Sequence, residues 1–512
     1  MLATVVTTAL LGIDAYPVYL EADLARSGLP AFTMVGLAEG SVKESKERVF
    51  TALKNSGFTL PPSRITINLA PADMRKEGSS YDLPLALCLL AAAEVLPQNA
   101  LEGFYLAGEL SLNGALKPVS GILPMALQAK ADRARGLIVA KENSAEAAVV
   151  QDIPVYPVKT LREAALFLLG EQRLEPCISD LGAIWSEQAV HHQLDFSEVK
   201  GQEHAKRAIE IAAAGSHNLL FMGPPGSGKT MLAKRIPSVL PLLAFQEALE
   251  VTKIYSVAGK LHPDQSLITK RPFRSPHHTI SDAGLIGGGQ YPRPGEVSLA
   301  HRGVLFLDEL AEFKKQVLEV LRQPIEDGRV TISRAAISLS YPANCMLVAA
   351  MNPCPCGYWT DENHPCTCTP RQIQRYRAKL SGPLLDRIDL QVEVPAVPYT
   401  DLKTTQSTMD SESMRQRIFA AHALQKERYA GGNCRSNSEL SGAQLEKYCE
   451  LTDAEHEFLE QAVHKLGLSA RAYTRVLRIA RTIADLSQDE TIDVRHLAEA
   501  INFRFLDRED LV

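Results

Sequence analysis

The sequence predicts a multidomain α/β protein in which two α/β parts are followed by a helical one. Three observations lead there. At 512 residues the chain exceeds one ordinary domain. Short β-branched runs alternate with amphipathic helical stretches over residues 1–170, and the alternation resumes past residue 197. Beyond residue 413 the strand signal fades and long helical patterns take over.

In chain order, Val18–Ala22 and Arg64–Leu69 read as strands, and Glu39–Ser56 and Leu83–Ala93 as helices. Residues 171–196 are polar and lack a strong period, which predicts a linker. The segment 197–396 opens with a helix over Gln202–Ala214 and a buried strand over Asn218–Met222. Tyr399–Glu412, rich in Thr, Ser and Asp, reads as a second connector. In the last segment, 413–512, Arg471–Leu486 carries Val476, Leu477, Ile479, Ala480 and Ile483 at helical spacing. The chain contains no internal repeat and no low-complexity tract.

Composition narrows the function classes. The hydrophobic fraction of 46% supplies a full core to each part. With 54 basic and 60 acidic residues the formal charge is −6, so any nucleic-acid contact must be local, in a groove or pore. Met1–Gly12 is apolar, but the first basic residue is Arg26, so the basic region of a secretory signal is missing. No apolar run reaches the roughly 18 residues that span a bilayer. A cytoplasmic protein without a membrane partner is expected. Nine cysteines in such a chain do not make a disulfide framework.

The chemistry concentrates in the second segment. Gly223, Pro224, Pro225, Gly226, Ser227, Gly228, Lys229 and Thr230 match the phosphate-loop pattern, with an apolar strand (Leu219–Met222) before it and a helix (Met231–Ile236) after it. Glycines let backbone N–H groups turn toward phosphate oxygens, and the helix N-terminus adds partial positive charge. Lys229 is placed to reach the β- and γ-phosphates of ATP and Thr230 to offer its hydroxyl to Mg²⁺. Downstream, the apolar run Val304–Leu307 ends in Asp308 and Glu309. Asp308 suits the metal ion and Glu309 the polarisation of an attacking water. A third strand, Met346–Ala350, leads to Asn352, which suits orientation of that water.

Arg387 stands between Asp386 and Asp389 in an apolar setting. It reads either as an intramolecular ion pair with one of those acids or as an arginine finger given to a neighbouring subunit's γ-phosphate. A finger is worth about 10³–10⁵ in turnover, and a site completed by a neighbour needs a closed ring. Arg471 is a candidate second sensor or, with Arg475, Arg478 and Arg481 close by, part of a solvated helix face.

Gly295–Glu309, Leu321–Glu326, Ala349–Gly357 and Leu384–Leu390 resemble the magnesium-chelatase-like branch of the AAA+ ATPases, and the whole chain resembles the YifB/ComM proteins of that branch. The resemblance implies a P-loop AAA+ core, a C-terminal helical lid and a homo-hexameric ATP-driven DNA motor. Such a motor is a helicase that drives branch migration in recombination during natural transformation, with Arg387 as trans-acting finger and Arg471 as second sensor. Two pore-lining insertions would fall at Arg271–Gly289 and at the hairpin Gly328–Ser340. The hairpin reads as strands Val330–Ser333 and Ala336–Leu339. Arg271, Arg274, Arg329 and Arg334 are then candidate contacts to DNA phosphates, or solvated loop charges. The alternative for the same engine is a chelatase-type motor remodelling a protein partner.

The first segment resembles the Lon-protease domain, a ribosomal-S5-like α/β fold. Where that family carries its nucleophilic serine, this chain reads Asp82-Leu83-Pro84-Leu85, and no lysine stands near Ile122–Met125. Neither half of the catalytic dyad is present, so no peptidase activity is expected.

Cys354, Cys356, Cys366 and Cys368 form two C-x-C pairs separated by nine residues. Four thiolates suit tetrahedral Zn²⁺, although the spacing is tighter than the usual two to four or so intervening residues. Free thiols or a redox pair are the other readings, and His364 is a substitute ligand.

Overall fold

The computed structural model describes residues 1–504 apart from 27–28, 38–39, 75, 190–193, 263–264, 290–291, 335–336, 360, 362–363, 399–408 and 433. Met1–Gln188 together with Phe245–Thr269 form one compact unit, and Ala189–Ala244 with Lys270–Val512 the other.

The first unit is built on strands β1 (Leu2–Leu11), β2 (Asp14–Ala25), β3 (Ala31–Val35), β4 (Arg64–Ala70) and β5 (Phe104–Ala107), a small hairpin of β6 (Glu109–Leu110) and β7 (Leu116–Lys117), then β8 (Gly136–Ala140) and β9 (Val155–Val158). Seven of these make one mixed sheet in the order β3-β4-β2-β1-β5-β8-β9. Strict alternation sets the face of β2: Val18, Leu20, Ala22 and Leu24 are buried while Tyr19 is exposed. β5 and β8, parallel to each other, are buried along their whole length, as a strand covered on both faces requires. The helix Asp82–Ala92 is buried at every position, consistent with its apolar sequence on all sides.

Two expectations about boundaries need correction. The stretch expected to be a linker forms a helix over Leu181–Ala189, because Asp180 accepts a hydrogen bond from the Ala183 N–H at 3.0 Å and caps it. Leu181, Ile184 and Trp185 fall at helical spacing, and the Trp185 ring lies 6.2 Å from that of Phe245. Phe245–Thr269 also leaves the segment expected as continuous over 197–396. Its helix, Phe245–Val257, buries Ala248, Val251 and Ile254, and the Ser256 hydroxyl donates to Glu146 while the Ser256 carbonyl accepts from Gly121 N–H at 3.2 Å.

The second unit contains β10 (Leu219–Met222), β11 (Phe273–Arg274), a ribbon of β12 (Gly287–Gly288) and β13 (Arg293–Pro294), β14 (Val304–Leu307), the hairpin β15 (Arg329–Arg334) and β16 (Ile337–Pro342), β17 (Met346–Met351) and β18 (Leu390–Glu393). Five of them form a parallel sheet in the order β11-β14-β17-β10-β18. Helices follow at the C-terminal end, among them Ser411–Arg428, Asp453–Leu466, Ala470–Ser487 and Val494–Asn502. They share one apolar core with the sheet, in which Phe221, Val348, Ile418, Val476 and Leu497 meet. The connector's residues 399–408 lie outside the described residues; its end is a helix start, with Asp410 accepting from the Ser413 N–H at 2.7 Å. Among the described residues no helix is long and apolar enough to cross a membrane.

Candidate nucleotide site

In a parallel sheet the C-terminal strand ends share one edge, where α/β proteins bind ligands. Here β17 lies between β14 and β10, so Asn352 emerges between the phosphate loop and the Asp308–Glu309 pair. The loop is shaped by its glycines. Gly226 and Gly228 adopt φ of +78° and +93°, which side chains rarely tolerate. At Gly223 a Cβ would stand 2.0 Å from the Val394 carbonyl oxygen, so the loop leaves the sheet against β18's continuation. Gly228 precedes the helix Lys229–Val239 without any side-chain cap, which keeps the first-turn N–H groups available to an anion.

Lys229 curls back into this loop. Its Nζ donates to the carbonyl oxygens of Gly223 and Pro224, both at 2.8 Å, and lies 3.3 Å from Oδ1 of Asn352. Burial pushes the ammonium down to about 8, against the opposing attraction of Asp308. The Thr230 hydroxyl donates to Asp308 Oδ2 at 2.7 Å, so the two groups expected to share a magnesium ion already adjoin. Glu309 holds a left-handed backbone, φ +53°, and its carboxylate is mostly exposed. The His278 ring faces it, with Nδ1 3.1 Å from Glu309 Oε2. The cradle, the ammonium and the hydroxyl–carboxylate pair fit a magnesium-bound polyphosphate.

The arginines resolve differently from one another. Both acids flanking Arg387 are committed elsewhere: Asp386 Oδ2 accepts from Arg471 at 2.8 Å, and Asp389 lies 3.6 Å from His217 and 3.5 Å from Arg475. Arg387 instead pairs with Glu326 and donates to the Pro383 carbonyl at 2.7 Å, and among the described residues its buried Nε has no hydrogen-bond partner. It borders an open cleft of about 430 Å³ with Arg322 and Glu319. Of the two readings of Arg387, the ion pair is therefore with Glu326 and not with Asp386 or Asp389. Arg471 remains mostly exposed while bound to Asp386.

Arg271 and Arg274 do not have the free guanidinium that a DNA contact needs. Arg271 donates to the carbonyls of Pro241 and Arg302, each at 2.8 Å, and Arg274 makes a two-pronged pair with Glu296 at 2.6 and 2.8 Å. These bonds position β11 and its neighbours. Arg329 is exposed at the base of the β15–β16 hairpin, and the side chain of Arg334 lies outside the described residues.

The four cysteines converge. Their sulfurs lie within 4.8 Å of one another, with Cys354 fully buried. His364 stays out of that cluster, 3.5 Å from Asp361 and packed on the Tyr358 ring. In the first unit, Leu85 is core, and Asp82 is a buried carboxylate held by Arg48 at 2.9 and 3.0 Å. Ile122, Leu123 and Met125 are likewise buried.

Three contributors escaped the sequence reading: His278, Glu326 and Gln202. Gln202 takes a left-handed conformation and donates from Nε2 to the Pro395 carbonyl at 2.6 Å, beside the Ser227 carbonyl at 3.4 Å. His278 and Glu326 lie in stretches that the sequence marks, Arg271–Gly289 and Leu321–Glu326, and Gln202 opens the expected helix, but nothing there assigns their side chains a partner.

Comparison with known proteins agrees with this geometry. Family models described as magnesium chelatase, subunit ChlI, match residues 195–402, those for subunit ChlI of Mg-chelatase residues 20–143, and those for its C-terminal part residues 408–504. The competence protein ComM of Haemophilus influenzae is 45% identical over 99% of this chain and 98% of its own length. The YifB protein of Escherichia coli is 45% identical, again over 99% of this chain and 98% of its own length. A magnesium-chelatase 38 kDa subunit from Rhodobacter capsulatus is 25% identical over 31% of this chain and 50% of that protein. Similarity that runs the full length at this level places the chain: it belongs to the ComM/YifB family of magnesium-chelatase-like AAA+ proteins.

Proposed function

We propose that this protein binds and hydrolyses ATP with Mg²⁺ and, as a homo-hexamer in the cytoplasm, uses the energy to move single-stranded and branched DNA through a central pore. The activity is that of a helicase or branch-migration factor in recombination during natural transformation. The observation that carries the ATPase part is the convergence of Lys229, Thr230, Asp308 and Asn352 at one sheet edge, with Glu309 beside them. In this reading the loop N–H groups and Lys229 grip the phosphates, and Thr230 and Asp308 hold the magnesium ion. Glu309 draws the proton from the attacking water while Asn352 orients it. Arg387, released from Glu326, reaches a neighbour's γ-phosphate, and Arg471 reports on the nucleotide from the helical lid.

The DNA part is supported by the full-length similarity to a competence protein. Of the four arginines considered for phosphate contact, Arg329 and Arg334 on the hairpin remain, since Arg271 and Arg274 are consumed by protein groups. The first unit is read as a Lon-like domain without peptidase function, because Leu85 occupies the nucleophile's place in the core. Zinc is the ion that suits the four cysteines. A second reading, a chelatase-type motor acting on a protein partner, is favoured by the match to magnesium chelatase models.

The test is ATP turnover with and without single-stranded DNA and a four-way junction, beside Glu309→Gln. Stimulation by DNA that disappears in Glu309→Gln is the expected result. A rate indifferent to every DNA would refute the DNA motor and move the case to the protein-remodelling reading.

A further inference from the structure

The cysteine cluster is built into the nucleotide site through a short, closed path of chain. Asn352, whose Oδ1 faces Lys229, is followed by Pro353 and the fully buried Cys354. Three residues further on, Gly357 lies so close to the phosphate loop that a Cβ on it would stand 2.6 Å from Cδ of Pro225. The second pair, Cys366 and Cys368, leads directly into the helix Pro370–Arg377, whose start is locked by a Thr369–Gln372 capping box. The far end of that helix returns to the first pair: Arg377 Nε donates to the Pro353 carbonyl at 3.5 Å, and its guanidinium stacks 4.2 Å from the Trp359 ring centre. Whatever joins the two cysteine pairs therefore closes a loop around Asn352 and Pro225.

Packing alone cannot close it. Past Gly357, the described residues through Thr369 are half-buried or exposed, so this stretch has no apolar core of its own. The sulfurs supply the alternative. Cys354 Sγ is 3.3 Å from Cys356 Sγ and 3.7 Å from Cys366 Sγ, and the latter two are 3.5 Å apart. A tetrahedral ion with metal–sulfur bonds of about 2.3 Å spaces its sulfurs by roughly 3.8 Å, so these thiols need move only slightly to bind one. The Cys356 and Cys368 N–H groups point at the sulfurs of Cys368 and Cys366, both at 3.4 Å, the outer hydrogen bonds that thiolate ligands use.

Building on the nucleotide reading above, we propose that the four cysteines bind one zinc ion as a clasp that holds Pro225 and Asn352 in place, so that metal occupancy regulates nucleotide grip and turnover. Pro225 belongs to the loop that binds phosphate, so a loosened clasp weakens ATP affinity. In the nucleotide reading Asn352 orients the lytic water, so a loosened clasp also lowers kcat. The cysteines themselves touch no substrate, and their part is positioning.

The experiment uses untagged full-length protein. Zinc per chain is measured by elemental mass spectrometry, and binding of a fluorescent ATP analogue and ATP turnover are followed before zinc withdrawal, after it, and after zinc is returned. The expected result is about one zinc per chain, with withdrawal lowering kcat by about tenfold or more and weakening nucleotide binding, both restored by zinc but not by magnesium. Cys366→Ser should lose the zinc and show the same deficits while keeping its circular dichroism spectrum. Should that variant not fold, zinc withdrawal from the wild type and Gly357→Ala decide instead. Gly357→Ala should keep its zinc yet bind ATP more weakly, because its new Cβ displaces Pro225. Far less than one zinc per chain overturns the site, and full zinc whose removal leaves ATP affinity and kcat unchanged overturns the coupling. Zinc-loaded protein that binds no ATP overturns the nucleotide reading, and the coupling with it.

Discussion

Replacing Lys229 by Met separates what the lysine does for a nucleotide from what it does to the fold. The residue is 9% exposed, and its ammonium sits among the carbonyl oxygens of Gly223 and Pro224. Burial lowers its pKa from 10.5 to about 8. A shift of that size corresponds to roughly 3 kcal/mol against the charged form, and allowing for the loop's partial access to solvent about 2 kcal/mol is a fair expectation. The sign follows from proton binding. At pH 7 the lysine is charged in both folded and unfolded chains, so the cost is fully present. As pH climbs past about 8 the folded protein sheds a proton that the unfolded chain keeps, and stability rises. Without nucleotide, Lys229→Met should therefore melt at or slightly above the wild type at pH 7, with the difference closing toward pH 10. With MgATP the order reverses: a ligand at 100 times its Kd stabilises the wild type by about 2.7 kcal/mol and the variant by almost nothing. Calorimetric melts across that pH range, with and without MgATP, read both effects. A variant that melts well below the wild type without nucleotide, or that keeps the full ATP-induced shift, would refute the reasoning.

Arg387→Ala should bind ATP normally and lose turnover by about 10³-fold or more. Mixing it with Glu309→Gln should restore part of the rate, since mixed interfaces then carry one intact copy of each group; no restoration rules out action across an interface. His278→Ala removes the ring 3.1 Å from Glu309 and should raise basal ATP turnover while shrinking any stimulation by DNA. An unchanged or lower basal rate would show that His278 does not restrain Glu309. Arg48→Met leaves the fully buried Asp82 without its guanidinium and should destabilise the first unit by about 3–5 kcal/mol. Denaturant melts resolve a loss of that size, and an unmoved midpoint would mean that the Leu110 N–H, 3.1 Å from Asp82, suffices to hold the carboxylate.

Much of this architecture is legible residue by residue. β10, β14 and β17 were readable because each is a short apolar run ending in residues that cannot continue a strand. The helix over Leu181–Ala189 was missed because its three apolar residues at helical spacing sit in a polar stretch too short to show a period. Phe245–Val257 is a different failure. Its buried face announces that it packs on something, and only the fold shows that the partner is the helix Ile122–Ala131 of the first unit. Arg271 and Arg274 mislead for a related reason. A loop arginine reads the same in sequence whether its guanidinium meets a phosphate or the Pro241 carbonyl.

The phosphate loop, the acidic pair after β14 and the asparagine after β17 are legible from the chain alone. Their function follows from local chain geometry: glycine's freedom at positive φ, the lysine and threonine at the helix start, and the direction in which a strand delivers its last residues. The tertiary structure decided the pairings. It put Glu326 rather than a neighbouring aspartate on Arg387, His278 on Glu309, and four thiols from two separate C-x-C pairs within one ion's reach. The ion pairs of Arg387 and Glu309 depend on distances between elements remote along the chain, which no local pattern encodes, whereas the cysteine spacing already suggests a shared ion and the fold supplies the convergence.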